Sequence, residues 1–432
     1  MINGAIQNIR QALGQVSDPA TLFANIGSVA ALAVSGVALN LLIGRYYGFE
    51  GLGVFSQALL FFLILGQVSA GGFAFAALYY FSRHGASDPS ARTYLIAAFL
   101  PVLAVGMLMA LLLWHGAPVI GSVLDSPELA ETMPAVGLGV MLFGLNKVGV
   151  HSLNGMEHLK TYAVLQGIRM PTMLLAFLAL LILHAPTGWF GWLFVASEAL
   201  IFALMLVMLW LYTRGTRLEF SRLFAVMISE NGRGWRGALI GLLSDVNSRI
   251  DVLVLGLLAS DRVVGMYALG AMFADGLRML LAAVQSVINP RVANYLFHQD
   301  RAAFDKLYSS LALVGRAISI VTLICASGLL IFAAPVLLGA EDSRTSTEVF
   351  LIMGLATTVA APAIVLNQSF TQGGQPVLQT AFFAILAMLN LVFNLVLIPY
   401  FGPQGAAVAT GIAEIAQLYL LRVWKPRLFG TT

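Results

Sequence analysis

Runs of about 20 apolar residues follow one another along almost the whole chain, each long enough to cross a hydrocarbon core about 30 Å thick as a helix. Twelve can be marked, at 21–44, 52–81, 93–115, 134–156, 161–184, 189–212, 237–259, 263–289, 308–337, 348–370, 377–400 and 405–424. Of the 432 residues, 59% are hydrophobic and 10% charged; a soluble domain carries roughly 25% charged residues. No soluble core could hide so much apolar side chain, so lipid must be the solvent for most of it. The expected fold class is an all-α polytopic membrane protein with about twelve transmembrane helices. The second and eighth runs are long and are expected to tilt or break near Gly71-Gly72 and Asp275-Gly276.

Lysine and arginine concentrate in cytoplasmic loops. With both termini inside, the inner segments carry 15 of these residues and the outer loops only Arg45, Arg262 and Arg344. Residues 1–16 place Ile2, Ile6, Ile9, Leu13 and Val16 at helical spacing, which predicts a short helix on the cytoplasmic interface. The inner loop 213–236 mixes Leu218, Phe220, Leu223, Phe224, Val226 and Met227 with charges, so it too is expected to hold a surface helix. It divides the chain into an N-terminal six-helix block, 1–212, and a C-terminal one, 237–432.

The two blocks look repeated. Gly44, Gly53 and Phe55 match Gly256, Gly265 and Tyr267 at an offset of 212, and Gly191 matches Gly405 at 214. Six spans per block give both the same orientation, so a pseudo-twofold axis along the membrane normal is expected. Parallel repeats of this kind occur in transporters, with the site between the halves near the midplane.

Ionisable groups inside spans are expensive in lipid, about 2.5–3.5 kcal/mol each on insertion scales, and mark functional candidates. The bases are Lys147, Arg169, Arg249, Arg278 and Arg316; the acids are Glu198, Asp245, Asp251, Asp275 and Glu414. Lys147, His151 and Asn154 are spaced i, i+4, i+7 and share one helical face, suited either to an anionic head group or to interhelical hydrogen bonds. Asp245 and Arg249 can pair along their helix, as can Asp275 and Arg278, while Asp251 is rotated away and needs another partner. Arg169 is expected to snorkel to the interface; Arg316 either snorkels or reaches an inner vestibule. Glu198 and Glu414 are either proton sites or buried hydrogen-bonded carboxyls.

No enzyme constellation emerges. The six histidines are scattered and make no metal cluster with the single cysteine, Cys325, which is expected to be a small core residue. There is no Walker A sequence, so ATP hydrolysis by that route is excluded. No basic tract of the nucleic-acid-binding kind is present, and no cofactor is implied.

Three segments carry a family resemblance. IGRYYGFEGLGVFSQALLF (43–61), SRIDVLVLGLLASDRVVGMYALGAMF (248–273) and NLVFNLVLIPYFGPQGAAVATGIAEI (390–415) resemble the first, seventh-to-eighth and eleventh-to-twelfth regions of the multidrug/oligosaccharidyl-lipid/polysaccharide (MOP) transporter superfamily. The polysaccharide biosynthesis branch, the repeat-unit flippases, matches best. The resemblance implies two six-helix bundles around a central cavity in the inner membrane of a bacterium. It also implies alternating-access movement of undecaprenyl-diphosphate-linked oligosaccharide to the outer leaflet. A diphosphate suits Lys and Arg, which directs attention to Lys147, His151, Asn154, Arg249, Arg278 and Arg316. The carboxylates Asp245, Asp251, Asp275, Glu198 and Glu414 would exchange protons or sodium or form ion pairs. Expected partners are membrane lipid and the polymerase and glycosyltransferases of the same pathway. The alternatives are an ion-coupled multidrug exporter of the superfamily and a non-transporting scaffold of the polymer-assembly complex.

Overall fold

The computed structural model describes residues 19–231, 242–243, 246–247 and 249–429, and among them every regular element is helical. The expected surface helix at 1–16 and Asp245 lie outside the described residues. Nine described helices are long and apolar enough to cross a membrane. Two of these are far longer than one crossing needs. Helix α1, Pro19–Ala70, has 52 residues and is broken at Gly48, whose φ of 70° only glycine adopts freely. The last helix, Pro376–Leu428, has 53 residues and is broken at Gly402, φ 53°. Beyond that break the chain doubles back: a Cβ on Gly405 would lie 2.4 Å from the carbonyl oxygen of Leu397. A straight helix would put those residues about 12 Å apart.

Continuing in chain order, α2 is Phe73–His84, α3 Ala91–Val123, α4 Pro127–Gly155, α5 Leu159–Gly167, α6 Arg169–Ile182, α7 Gly191–Thr213 and α8 Phe220–Asn231. Then come α9 Ile250–Leu258, α10 Asp261–Phe297, α11 Arg301–Phe332, α12 Ala334–Leu338, α13 Ala340–Val365, α14 Ser369–Gln372 and α15 Pro376–Leu428. The sequence punctuates these boundaries. Ser126 caps α4 by accepting from the Leu129 N–H at 3.2 Å, with Pro127 at the first helical position. The break expected at Gly71-Gly72 is present: α1 ends at Ala70 and Gly71 takes φ 50°. The break expected near Asp275-Gly276 is absent, because α10 runs through these residues as continuous helix.

The helices fall into two compact units. One contains Asp18–Ile43 and Val54–Asp245; the other contains Gly44–Gly53 and Val246–Thr432. The first unit is cored by stacked aromatics, with Phe194 4.6 Å from Phe62 and 5.8 Å from Phe55, ring to ring. Near Tyr80, Tyr94 and Phe81, a second apolar cluster joins α2, α3, α4 and α7.

The second unit contains the sharpest sign of the internal repeat. A Cβ on Gly53 would lie 1.9 Å from the carbonyl oxygen of Asp261, and one on Gly265 would lie 1.9 Å from that of Phe49. Phe49 and Asp261, like Gly53 and Gly265, are separated by 212 positions. The repeated turns therefore pack on each other reciprocally, each glycine against the other's backbone, as a twofold relation demands.

Cys325 corrects an expectation. It is exposed on α11 rather than buried. Among its neighbours Val321 and Ile324 are likewise exposed. In a membrane an apolar run need not face a protein core, because lipid accepts it equally well.

Candidate functional site

Each unit holds its own cluster of polar side chains within the membrane-spanning helices. In the second unit the cluster grows from α9 and α10. Asp251, one residue into α9, is almost fully buried. Its Oδ1 accepts from the Val252 N–H at 2.8 Å, and its Oδ2 accepts from the hydroxyls of Tyr267 and, at 3.3 Å, Thr410. This is the partner set that the sequence left open. Beside it, Asn390 donates to the Asn247 carbonyl at 3.0 Å, and Asn394 donates to the Asn390 backbone and side-chain oxygens at 2.8 Å. The side-chain oxygens of Asn394 and Asn247 are buried without a protein donor. Oxygen acceptors thus outnumber donors in this pocket of side chains, a donor chemistry that fits a proton or a hard monovalent cation such as sodium.

A second group lies further along the same helices. Arg278 donates to Asp275 at 2.5 Å and to Glu414 at 2.5 Å. Glu414 also accepts from the Thr357 hydroxyl at 2.6 Å. Arg249 lies 3.6 Å from the other oxygen of Asp275. Two guanidinium groups and two carboxylates therefore form one chain, Arg249–Asp275–Arg278–Glu414, joining the start of α9 to α10 and α15. Side-chain exposures of 28, 29 and 24% at Arg249, Asp275 and Arg278 contrast with the sealed surroundings of Asp251. Arg316 stands apart, exposed on α11.

The first unit contains the other cluster. Lys147, His151 and Asn154 are half-buried along one face of α4, while most of their neighbours on that helix are fully buried. His151 Nδ1 lies 2.8 Å from the Lys147 carbonyl. Arg169 does not snorkel. Its Nε donates to Glu198 at 2.6 Å and a terminal N–H reaches the second carboxylate oxygen at 3.4 Å. The reason is that Glu198 is fully buried, and a forked guanidinium 29 positions away in sequence supplies the neutralising charge. Asn146 completes the shell by donating to Glu198 at 2.8 Å. Arg169 and Lys147 both approach the Phe143 ring, at 5.0 and 5.8 Å from its centre.

Sequence reasoning had selected the ionisable members of these groups together with Asn154, Asn247, Asn390 and Asn394, and missed the others. Tyr267, Thr410, Thr357 and Asn146 gave no charge signal. Thr410 did carry one hint: it lies four residues before Glu414 and shares its helical face. Among the described residues no three His, Cys, Asp or Glu side chains gather as a metal site.

Charged side chains held inside the spans of a multi-pass helical protein, most of them paired, are a feature that membrane transporters share. Comparison makes this specific. Residues 86–340 match the family described as "Polysaccharide biosynthesis protein", and the chain belongs to that family. Its fold is that of the MOP superfamily. A solved structure of the lipid II flippase MurJ, inward closed, is similar at TM-score 0.73 and 15% identity, over 95% of this chain and 88% of the other. An inward-facing multidrug resistance MATE transporter is similar at TM-score 0.76 and 11% identity, over 98% of both chains. A MOP transporter from Pyrococcus furiosus, described as having a binding pocket of reverse polarity, is similar at 0.62 and 13%, over 99% of each. No curated protein matches the chain in sequence. The protein is thus a multi-pass helical member of the polysaccharide biosynthesis family with the fold of the MOP transporters.

Proposed function

We propose that the protein moves undecaprenyl-diphosphate-linked oligosaccharide repeat units from the inner to the outer leaflet of a bacterial inner membrane, with both termini cytoplasmic. Membership of the polysaccharide biosynthesis family carries this reading. The lipid II flippase among the structural neighbours supports it, since lipid II is itself a lipid-linked saccharide. The head group enters while the lipid tail stays in the bilayer, and alternating access carries it across. Lys147, with His151 and Asn154 on the same half-buried face, is the first candidate to hold the diphosphate. Arg249 and Arg278 are further candidates, and a polyanion there would displace or share the carboxylates that they hold. Asp251, with Thr410, Asn390 and Asn394, is the candidate coupling site for protons or sodium. Asp275, Glu198 and Glu414 serve ion pairing.

Gene deletion with complementation tests the proposal. Surface polymer should be lost and lipid-linked repeat units should accumulate in the inner leaflet. Lys147→Gln should restore little export at normal protein level, and Lys147→Arg more. Polymer unaffected by deletion would sink the flippase reading.

A drug-exporter reading is favoured by one observation, the similarity to a MATE transporter over the full length. It predicts that deletion raises susceptibility to cationic drugs and leaves polymer intact.

A further inference from the structure

Helix α8 presents two apolar faces, and among the described residues only one is packed. Val226 packs against the aromatic cluster around Tyr80, Tyr94 and Phe81, with Leu223 and Met227 half-buried beside it. Phe220, Phe224 and Ile228, spaced i, i+4, i+8, form a second stripe with exposures of 75, 67 and 62%. The start of the helix is fixed. The Arg217 N–H donates to the Pro89 carbonyl at 3.1 Å, and the Glu219 N–H donates to the Thr93 hydroxyl at 2.9 Å. With 12 residues, α8 is about 18 Å long and too short to span.

We infer that this stripe is a docking surface for the anionic lipid of the leaflet it faces. The helix begins seven residues after the membrane span Thr187–Thr213 ends, so it starts at the bilayer's edge. Its loop, 213–236, carries five arginines against two glutamates, and Arg214, Arg217 and Arg222 are exposed around the start of the helix. An apolar stripe flanked by exposed guanidinium groups matches acyl chains below and phosphate head groups above. Docking would brace the end of α3, which α8 touches through Thr93, against the membrane surface.

The test uses the full chain in lipid nanodiscs, with Cys325→Ala and a single environment-sensitive label at Phe224→Cys. The expected result is blue-shifted emission, quenched by brominated acyl chains and inaccessible to iodide. Enrichment of phosphatidylglycerol around the protein should also fall toward its bulk fraction in an Arg214→Gln, Arg217→Gln, Arg222→Gln variant. Ile228→Cys provides the same reading if the first variant fails to fold. An iodide-accessible label that brominated lipid does not quench overturns the inference, including the case where a cytosolic protein then protects it. Unchanged phosphatidylglycerol enrichment in the triple variant overturns the anionic component.

Discussion

Replacing Arg278 by methionine separates the structural and transport roles of the charged chain in α10 and α15. Arg278 contacts Asp275 and Glu414 at 2.5 Å each, so the substitution leaves two carboxylates facing each other's field without a guanidinium between them. Breaking a fully buried ion pair from one side costs about 3–5 kcal/mol. Here Arg278 retains 24% and Asp275 29% side-chain exposure, and Arg249 still sits 3.6 Å from Asp275. The expected cost is therefore lower, about 2–3 kcal/mol. Adding Glu414→Gln removes one stranded charge and keeps an acceptor for the Thr357 hydroxyl, so it should recover part of the loss, about 1–2 kcal/mol of coupling. The assay is thermal unfolding of purified protein in detergent for the parent, both single variants and the double variant, with export measured in cells at matched protein level. A methionine variant as stable as the parent would refute the electrostatic reasoning. So would a double variant less stable than the sum of its singles predicts. If the methionine variant is stable but cannot export, Arg278 acts on substrate rather than on its neighbours.

Other outcomes follow from the same geometry. Gly53→Ala or Gly265→Ala drives a methyl group into a carbonyl oxygen at 1.9 Å and should destabilise by about 1–3 kcal/mol through overpacking. Gly276→Ala, with nothing within 4 Å of its Cβ, should be neutral or stabilising in the same thermal assay. Tyr267→Phe and Thr410→Val each remove a hydroxyl donor from buried Asp251 and should cost about 1–3 kcal/mol, with Asp251→Asn suppressing the loss. If Asp251 carries the coupling ion, sodium or acid should raise the thermal midpoint of the parent and not of Asp251→Asn.

The spans were legible in the sequence because a 20-residue apolar run has few fates in lipid. The chain reversal after Gly402 was legible as a gap between runs, and Gly402 supplies the backbone conformation that makes it. The reciprocal packing of residues 49–53 and 261–265 was legible only as matching letters, since no pattern states that two glycines meet each other's backbone. Pairings between distant helices were least visible. Asp275 and Arg278 could be read as an i, i+3 pair, but Glu414 reaches the same guanidinium from 136 positions away. Arg169 looked like a snorkelling residue because Glu198 sits on the next span, 29 positions away. The lone cysteine was misread because an apolar neighbourhood in lipid does not distinguish core from surface.

The distribution of charge gives the proposed transport cycle a physical basis. Among described span residues, the first unit sets Lys147 and Arg169 against Glu198 alone. The second sets Arg249, Arg278 and Arg316 against Asp251, Asp275 and Glu414. The sealed carboxylate of Asp251 suits a small coupling cation, whose arrival changes the charge felt by Arg249 two residues away. Because Arg249 and Arg278 share Asp275, loosening one end of the chain Arg249–Asp275–Arg278–Glu414 alters the attraction at the other. On the proposed reading, ion binding at Asp251 acts on the packing between α10 and α15 both directly, through Tyr267 and Thr410, and through the charged chain beside it. A variant that cuts the chain in the middle, Asp275→Asn, should accordingly leave ion-dependent stabilisation at Asp251 intact while weakening its coupling to export.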